Sequence, residues 1–270
     1  MRFKPLPGMK SRPIVARAVA LLVTATALFA GCACGAEVKV MISGGFSAAY
    51  RALLPEFERT THNSVATAAG PSMGNAPEAI PNRLQRGEPA DVLIMVSSAL
   101  DELIKLGKVV PDSRIDLARS KIGMVVRAGE PKPDISSVDA FKRALIEAKS
   151  IAYSDSASGV YLSTVLFERL GIAEQMLSKS RMIRAEPVAA VVARGEAQIG
   201  FQQISELIPV PGVDLVGPLP AEIQKITIFS AGIATGAREP AAARALLQFL
   251  SSPAALPAIA KSGLEPVTLR

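Results

Sequence analysis

Serine and glycine residues crowd two short turns of the sequence, and each turn lies between a strand-like run and a helix-like run. In the first, residues 43–47 read Ser-Gly-Gly-Phe-Ser after Val38–Ile42. In the second, residues 155–159 read Asp-Ser-Ala-Ser-Gly after Ile151–Ser154. The first turn of a helix has backbone N–H groups without intrahelical partners and carries partial positive charge. Each turn is therefore predicted to bind a small anion through uncharged hydrogen-bond donors, with ordinary helix capping as the structural alternative.

Two further polar segments extend this candidate site. The loop Gly70–Asn75 is rich in turn-forming residues and carries Ser72, and Gln202 and Gln203 end the strand-like run Ile199–Gln203. Ligands of open α/β sheets bind beyond the carboxyl ends of strands. The predicted ligand-binding residues are Gly44, Gly45, Ser47, Ser72, Ser156, Ser158, Gly159, Tyr161, Gln202 and Gln203.

Few side chains of this sequence suit acid–base or metal chemistry. His62 is the only histidine and lies in a polar run, and both cysteines, Cys32 and Cys34, fall near the N-terminus. Neither a metal nor another cofactor is expected. Asp91 precedes a strand-like run and is interpreted as a turn or capping residue. Abstraction of a proton from carbon would need a carboxylate or tyrosine base, for which the candidates are Asp155, Glu206, Tyr153 and Tyr161.

The N-terminal segment has the pattern of a secretory signal peptide. Five basic residues precede the uncharged run Ala18–Ala30, and small residues follow up to Ala36. That run is shorter than the roughly 20 apolar residues a membrane-spanning helix needs. Residues 1–36 are therefore predicted to be removed on export to the periplasm. Phe29-Ala30-Gly31-Cys32 matches a lipoprotein cleavage site imperfectly, which makes a lipid anchor at Cys32 the alternative.

Charge and element order define the broad class of the remaining chain. The net charge is +6, but five of the 30 basic residues and none of the 24 acidic ones lie in residues 1–36. The near balance that remains argues against nucleic-acid binding. Strand-like and helix-like runs alternate, which predicts an α/β fold with largely parallel sheets. The predicted lobes are residues 37–118 with 231–270, and residues 119–230.

Several motifs together resemble the periplasmic molybdate-binding protein family. They are the first Gly/Ser turn, then Leu84-Gln85-Arg86-Gly87-Glu88-Pro89-Ala90-Asp91-Val92-Leu93-Ile94, then Ala157-Ser158-Gly159-Val160-Tyr161 with Leu170-Gly171 following. This resemblance covers essentially all of the chain after the leader. It implies a type II periplasmic binding protein: two α/β lobes joined by crossing strands that close over a small anion. It also implies delivery to an ABC transporter permease, and we expect a monomer.

The resemblance leaves two ligand chemistries and two functions open. Gly45 stands where the family usually has a serine, and relatives take other anions, including carboxylates. The ligand is therefore predicted to be a molybdate-like oxyanion or a small polycarboxylate. One branch of the superfamily resembles aconitate isomerase, so isomerisation of a tricarboxylate is the alternative to simple capture. A carboxylate site would use arginine, and the candidates are Arg83, Arg184 and Arg194.

Overall fold

The computed structural model describes Met1, residues 35–184 and residues 186–267. The predicted leader, including Cys32, lies almost wholly outside these residues, so its assignment stays a prediction. Residues from Gly35 onward form one compact unit. Within the described part of the chain, no helix combines the length and the apolar character that crossing a membrane requires.

Strands and helices alternate along the described chain, which confirms the predicted α/β class. The strands are β1 Glu37–Ile42, β2 Ser64–Ala69, β3 Val92–Val96, β4 Ile115–Ser120, β5 Ile122–Arg127, β6 Ile151–Ser154, β7 Ser180–Ile183, β8 Ile199–Gln203, β9 Val213–Pro218, β10 Thr227–Ile233 and β11 Glu265–Pro266. The α-helices are α1 Gly44–Thr61, α2 Ile80–Gln85, α3 Ser97–Lys105, α4 Val138–Glu147, α5 Ala157–Tyr161, α6 Phe167–Arg169, α7 Ala173–Leu177, α8 Val188–Ala193, α9 Ile204–Leu207, α10 Pro240–Leu250 and α11 Leu256–Lys261. A π-helical segment, Leu162–Leu166, joins α5 to α6.

The first sheet has the strand order β11-β4-β10-β3-β1-β2. Strand β1 pairs in parallel with β2 and β3, whereas β10 is antiparallel to β3 and β4. All five residues of β3 are buried, and its uninterrupted apolar run is typical of a central strand. Phe46, Tyr50 and Phe57 of α1 belong to the core that covers this sheet.

The second sheet has the strand order β7-β6-β8-β5-β9, with β6 parallel to β7 and β8 and β5 antiparallel to β8 and β9. Both sheets are thus mixed, whereas largely parallel sheets were predicted. The reason lies in the crossings between them. Every antiparallel strand pair includes β4, β5 or β10, the strands that adjoin the two passages of the chain between the sheets, from β4 to β5 and from β9 to β10. The lobe boundaries stay predictions, because a sheet assignment alone does not delimit a domain.

The second sheet has a core of its own, built around a few aromatic rings. Phe141 of α4 meets Phe201 of β8 edge to face, with ring centroids 5.8 Å apart. Both side chains are fully buried. Edge-to-face pairs add stability beyond the burial of their surface. Each sheet thus forms a packed support for the loops at its strand ends, although the chain has few aromatic residues and no tryptophan.

The Asp91 carboxylate, which precedes β3, joins its own segment to β1 and to the start of α10. One oxygen accepts the backbone N–H of Lys39 at 2.7 Å, and the other accepts the N–H groups of Arg238 at 2.6 Å and Glu239 at 3.1 Å. The side chain is 2 % exposed. Because Glu239 immediately precedes α10, this carboxylate caps the start of that helix. Its interpretation as a capping residue is confirmed.

Candidate functional site

A cavity of about 350 Å³ lies where loops of the two sheets face each other. Its walls come mainly from the carboxyl ends of β1, β2, β3, β6, β7 and β8, which is the edge where α/β sheets bind ligands. Six of the ten predicted site residues line it: Gly44, Gly45, Ser72, Ser156, Gln202 and Gln203. Four do not: Ser47, Ser158, Gly159 and Tyr161. That the six bind a ligand stays a prediction.

The first turn presents Ser43 to the cavity instead of Ser47. Ser47 lies one helical turn inside α1, where its hydroxyl donates back to the Ser43 carbonyl at 3.1 Å. Such bonds to the preceding turn are typical of serine within helices. The Ser43 hydroxyl is 4 % exposed and has no hydrogen-bond partner among the described residues. The sequence analysis missed Ser43, although it is the N-cap residue of α1 and serine is favoured there.

Gly45 lies against an aromatic ring of the neighbouring strand. A Cβ atom at this position would come within 2.1 Å of the Phe229 ring. Any larger residue would therefore have to displace the buried Phe229 ring. Close packing against Phe229 therefore explains why this chain has Gly45 where the family usually has a serine.

The second turn forms a cluster of three serine hydroxyls. Ser154 Oγ lies 2.8 Å from Ser156 Oγ and 3.1 Å from Ser158 Oγ. Ser154 and Ser156 line the cavity, whereas Ser158 is fully buried behind them. A Cβ atom on Gly159 would lie 1.6 Å from the Ser154 carbonyl oxygen, so Gly159 allows α5 to approach the end of β6. Ser158 and Gly159 thus support the turn without lining the cavity, and Ser154 is a lining residue that the sequence analysis missed.

Tyr161 points away from the cavity into the second core. Its hydroxyl donates to the Ile223 carbonyl at 2.8 Å, and Lys225 Nζ lies 5.5 Å from its ring centroid. The tyrosine therefore anchors α5 to the segment that leads back to the first sheet.

Replacing Tyr161 by phenylalanine is expected to lower the free energy of unfolding by about 1 kcal/mol, because the buried Ile223 carbonyl loses its hydrogen-bond donor. Urea unfolding measures this change. The matched control is Tyr153→Phe, which keeps the edge-to-face packing of that ring on Phe167 and should cost less. Equal effects in the two variants would contradict the anchoring role of the Tyr161 hydroxyl.

Ser72 and the two glutamines line the cavity but already bond to protein groups. Ser72 Oγ accepts the Val96 N–H at 2.9 Å, which fastens its loop to the end of β3. Gln202 Oε1 accepts the Val188 N–H at 3.1 Å. Gln203 Nε2 donates to Thr227 Oγ1 at 3.0 Å, while its Oε1 is buried without a partner among the described residues. Gln203 Oε1 and Ser43 Oγ are thus the buried polar atoms of cavity-lining residues that lack a partner among the described residues.

Charged groups line the cavity beside the uncharged donors, and three of them, Asp155, Arg184 and Glu206, are among the residues proposed for the alternative function. Glu206 of α9 is half-buried beside Gly44, and a Cβ atom on that glycine would lie 2.1 Å from Glu206 Oε1. Burial raises the pKa of Glu206 to about 7, against the opposing effect of hydrogen bonds from the Gln202 side chain and the Gln203 backbone. Glu206 can therefore change protonation state near neutral pH.

A second carboxylate and an arginine face the same space. Burial raises the pKa of Asp155, and the positive charge of Arg184 is among the effects that oppose this rise. Arg184 lines the cavity, whereas Arg194 is paired with Glu186 at 2.9 Å and Arg83 with Glu88 at 2.7 Å. Of the three arginines proposed as carboxylate ligands, Arg184 is thus the one in the cavity wall.

These groups together suit a negatively charged ligand and proton transfer. Hydroxyls, amide groups and an arginine can hold carboxylates. A carboxyl group with a pKa near 7 can both accept and return a proton. Among the described residues, no group of three histidine, cysteine, aspartate or glutamate side chains is arranged to hold a metal ion.

Curated proteins of two kinds are similar to this chain. An aconitate isomerase from Pseudomonas sp. is 56 % identical over 228 residues, which are 84 % of this chain and 87 % of that protein. A molybdate-binding protein from Azotobacter vinelandii is 27 % identical over 263 residues, which are 94 % and 96 % of the two chains.

Solved structures confirm the type II binding-protein fold. The periplasmic molybdate-binding protein of Azotobacter vinelandii matches with a TM-score of 0.68 at 21 % identity, over 86 % of this chain and all of that one. A sulfate-binding protein from Mycobacterium tuberculosis H37Rv matches with a TM-score of 0.68 at 20 % identity, over 86 % and 87 % of the two chains. The family model of bacterial extracellular solute-binding proteins matches residues 38–265. This chain belongs to the family of bacterial extracellular solute-binding proteins.

Proposed function

We propose that this protein is an isomerase of an unsaturated tricarboxylate, as in the aconitate isomerase to which it is similar. The observation that carries the proposal is the Glu206 carboxyl group in the cavity wall, with a pKa of about 7. A carboxylate in the wall weakens the binding of any anion, because like charges repel, so it is a disadvantage to a protein that only captures its ligand. A proton-transfer enzyme needs such a group. We therefore favour isomerisation of a tricarboxylate, the alternative function predicted from the sequence, over simple capture.

The cavity offers groups that can hold carboxylates on two of its sides. The Ser43 hydroxyl, which has no partner among the described residues, and the start of α1 lie on one side. Arg184 and the Ser156 hydroxyl lie on the other. An ion pair with guanidinium and hydrogen bonds at a helix N-terminus both favour carboxylate over neutral groups. A substrate held between the two sheets would therefore be fixed against Glu206.

The proposed reaction moves one proton and one double bond. In aconitate, a methylene group adjoins a carbon–carbon double bond. The Glu206 carboxylate removes a proton from this methylene, and the electron pair of the broken C–H bond enters the three-carbon allylic system and its carboxylates. The double bond shifts by one position, and protonated Glu206 returns a proton to the opposite end of the allylic system. The enzyme ends unchanged, and neither an oxidant nor a cofactor is consumed.

Solvent deuterium labelling tests this proposal. In D2O, trans-aconitate incubated with the protein is expected to convert to the cis isomer and to gain deuterium at carbon, both followed by proton NMR. Binding alone breaks no C–H bond and cannot produce either change. If neither isomerisation nor labelling exceeds the enzyme-free rate at saturating substrate, the proposal is wrong.

Anion capture for an ABC transporter is the second candidate function. It is favoured by the Ser43 hydroxyl at the start of α1, a donor without a partner among the described residues, and by membership of a solute-binding family. A rise in melting temperature with molybdate, tungstate, sulfate, phosphate or citrate, together with no turnover of aconitate, would support it. In both cases we propose a monomer exported to the periplasm.

A further inference from the structure

Glu206 reaches the cavity from one sheet and rests against a helix that follows the other. It belongs to α9, which continues directly from β8 of the second sheet. Its carboxyl end lies beside Gly44, the first residue of the helix that follows β1 of the first sheet. A Cβ atom on Gly44 would lie 2.1 Å from Oε1, 3.1 Å from Cδ and 3.6 Å from Cγ of Glu206. The carboxyl group therefore occupies the space that the side chain of any other residue at position 44 would enter.

The helix that carries Glu206 is fastened to α1 by the preceding residue. Ser205 is 1 % exposed, and its hydroxyl donates to the Gly45 carbonyl at 2.7 Å. The two residues lie 160 positions apart in the sequence, so this bond joins segments that follow different sheets. Ser205 thus holds the backbone of α9 beside α1, and Gly44 leaves room there for the carboxyl group.

We infer that Gly44 is a positioning residue for proton transfer: because it has no side chain, the Glu206 carboxyl group can lie against the start of α1, at the place in the cavity wall from which it reaches the substrate. This inference rests on the proposed isomerase function. It differs from the prediction that Gly44 binds the ligand directly, because it assigns the open face of this glycine to the base.

The kinetics of Gly44→Ala test the inference. The added methyl group is expected to displace the carboxyl group and to lower kcat for aconitate isomerisation by about tenfold or more, with KM little changed, because misplacement by about 1 Å can cost up to 10²-fold. The matched control is Gly236→Ala, at an exposed position where a Cβ atom would meet nothing within 4 Å. The control should keep the wild-type kcat. If Gly44→Ala also keeps it, the inference is wrong.

Stability separates positioning from structural support. The new methyl group of Gly44→Ala meets the end of a flexible side chain, and alanine is favoured over glycine within helices. This variant should therefore unfold at a urea concentration no lower than wild type. Gly45→Ala instead meets the buried Phe229 ring and should unfold at a lower one. An equal loss of stability in the two variants would indicate a merely structural role for Gly44 and contradict the inference.

A shorter acid distinguishes displacement of the base from obstruction of the substrate. Glu206→Asp withdraws the carboxyl group by one methylene from the space beside position 44. In that background Gly44→Ala should lower kcat by a smaller factor than it does in the wild-type background, because the two substitutions affect one contact and are not additive. Equal factors in both backgrounds would mean that the methyl group acts on the substrate alone, and the inference would be wrong.

The amide NMR signal of Gly44 keeps the test independent of turnover. Ionisation of a carboxyl group in contact with this residue should shift its amide resonance. The shift should vanish in Glu206→Gln, which retains the other charged groups of the cavity wall, Asp155, Arg184 and Glu186. Such a shift in a protein that does not turn over aconitate would retain the contact and overturn the isomerase. Turnover with equal kcat in wild type and Gly44→Ala would overturn the positioning role alone.

Discussion

Glu206→Gln is expected to lower kcat for aconitate isomerisation by at least 10²-fold, because general acid–base groups contribute about 10² to 10⁴. Glutamine keeps the shape of the side chain and its contact with Gly44, but it cannot accept the methylene proton. Rates are measured by proton NMR in wild type and variant. The matched control is Glu147→Gln, the same change on the exposed surface of α4. A folded Glu206→Gln protein that keeps more than a tenth of the wild-type rate would contradict the role of Glu206.

The protonation of Glu206 also determines how rate and stability depend on pH. The base must be ionised, so kcat/KM should rise with pH and level off above about pH 7, where Glu206 has its pKa. Stability follows the opposite course. A carboxyl group whose pKa is higher in the folded than in the unfolded protein destabilises the fold once the unfolded group ionises. Wild type should therefore lose stability as pH rises from about 4.5 to about 7.

Glu206→Gln lacks this loss of stability. Its free energy of unfolding should exceed that of wild type at pH 8 by on the order of 2 kcal/mol, a value reduced from the full linkage effect because Glu206 is partly open to solvent. At pH 4 the two proteins should agree. Urea unfolding at both pH values measures the difference. A variant that is less stable than wild type at pH 8 would show that the ionised carboxylate is not penalised by burial.

Asp91→Ala is expected to lower the free energy of unfolding by about 4 kcal/mol, because three backbone N–H groups lose a buried, charged acceptor at once. The affected groups belong to β1 and to the start of α10, which are distant in the sequence. Losing a third or more of the stability of a typical domain should make the variant unfold near 37 °C. Circular dichroism during urea and heat unfolding measures both quantities.

Asp101→Ala is the matched control for this substitution. Asp101 pairs with Arg114 at 2.7 Å on the surface, where such pairs contribute about 1 kcal/mol or less. Asp91→Asn adds a graded test, since its amide can accept on one side only and should lie between wild type and Asp91→Ala. If Asp91→Ala and Asp101→Ala cost the same, the carboxylate of Asp91 does not join the three segments.

Local periodicity sufficed to predict most elements but failed where a helix is irregular. In residues 162–170 the apolar side chains recur at helical spacing, which predicts one buried face carrying Leu162, Val165, Leu166 and Leu170. In the structure Leu162 and Leu166 are buried, but Val165 is 47 % exposed. The cause is the π-helical segment Leu162–Leu166, whose wider turn changes the angular spacing of side chains. Such a segment depends on packing around it and leaves no simple signal in the spacing of residues.

The sequence by itself determined which segments contribute to the cavity, because strand, turn and helix follow from contacts between near neighbours along the chain. The turn at Ser43 and the turn at Ser156 were found in this way, as was the amide pair at Gln202. Only the tertiary structure decided which atoms face the cavity. The Ser47 and Ser158 hydroxyls bond to groups of the protein, whereas the Ser43 hydroxyl has no partner among the described residues. A rotation of the helix by one residue would bring different serines to these partners, so the sequence pattern alone does not decide between the two cases. The shift in the pKa of Glu206 likewise arises from burial among segments distant in sequence, which no local pattern records.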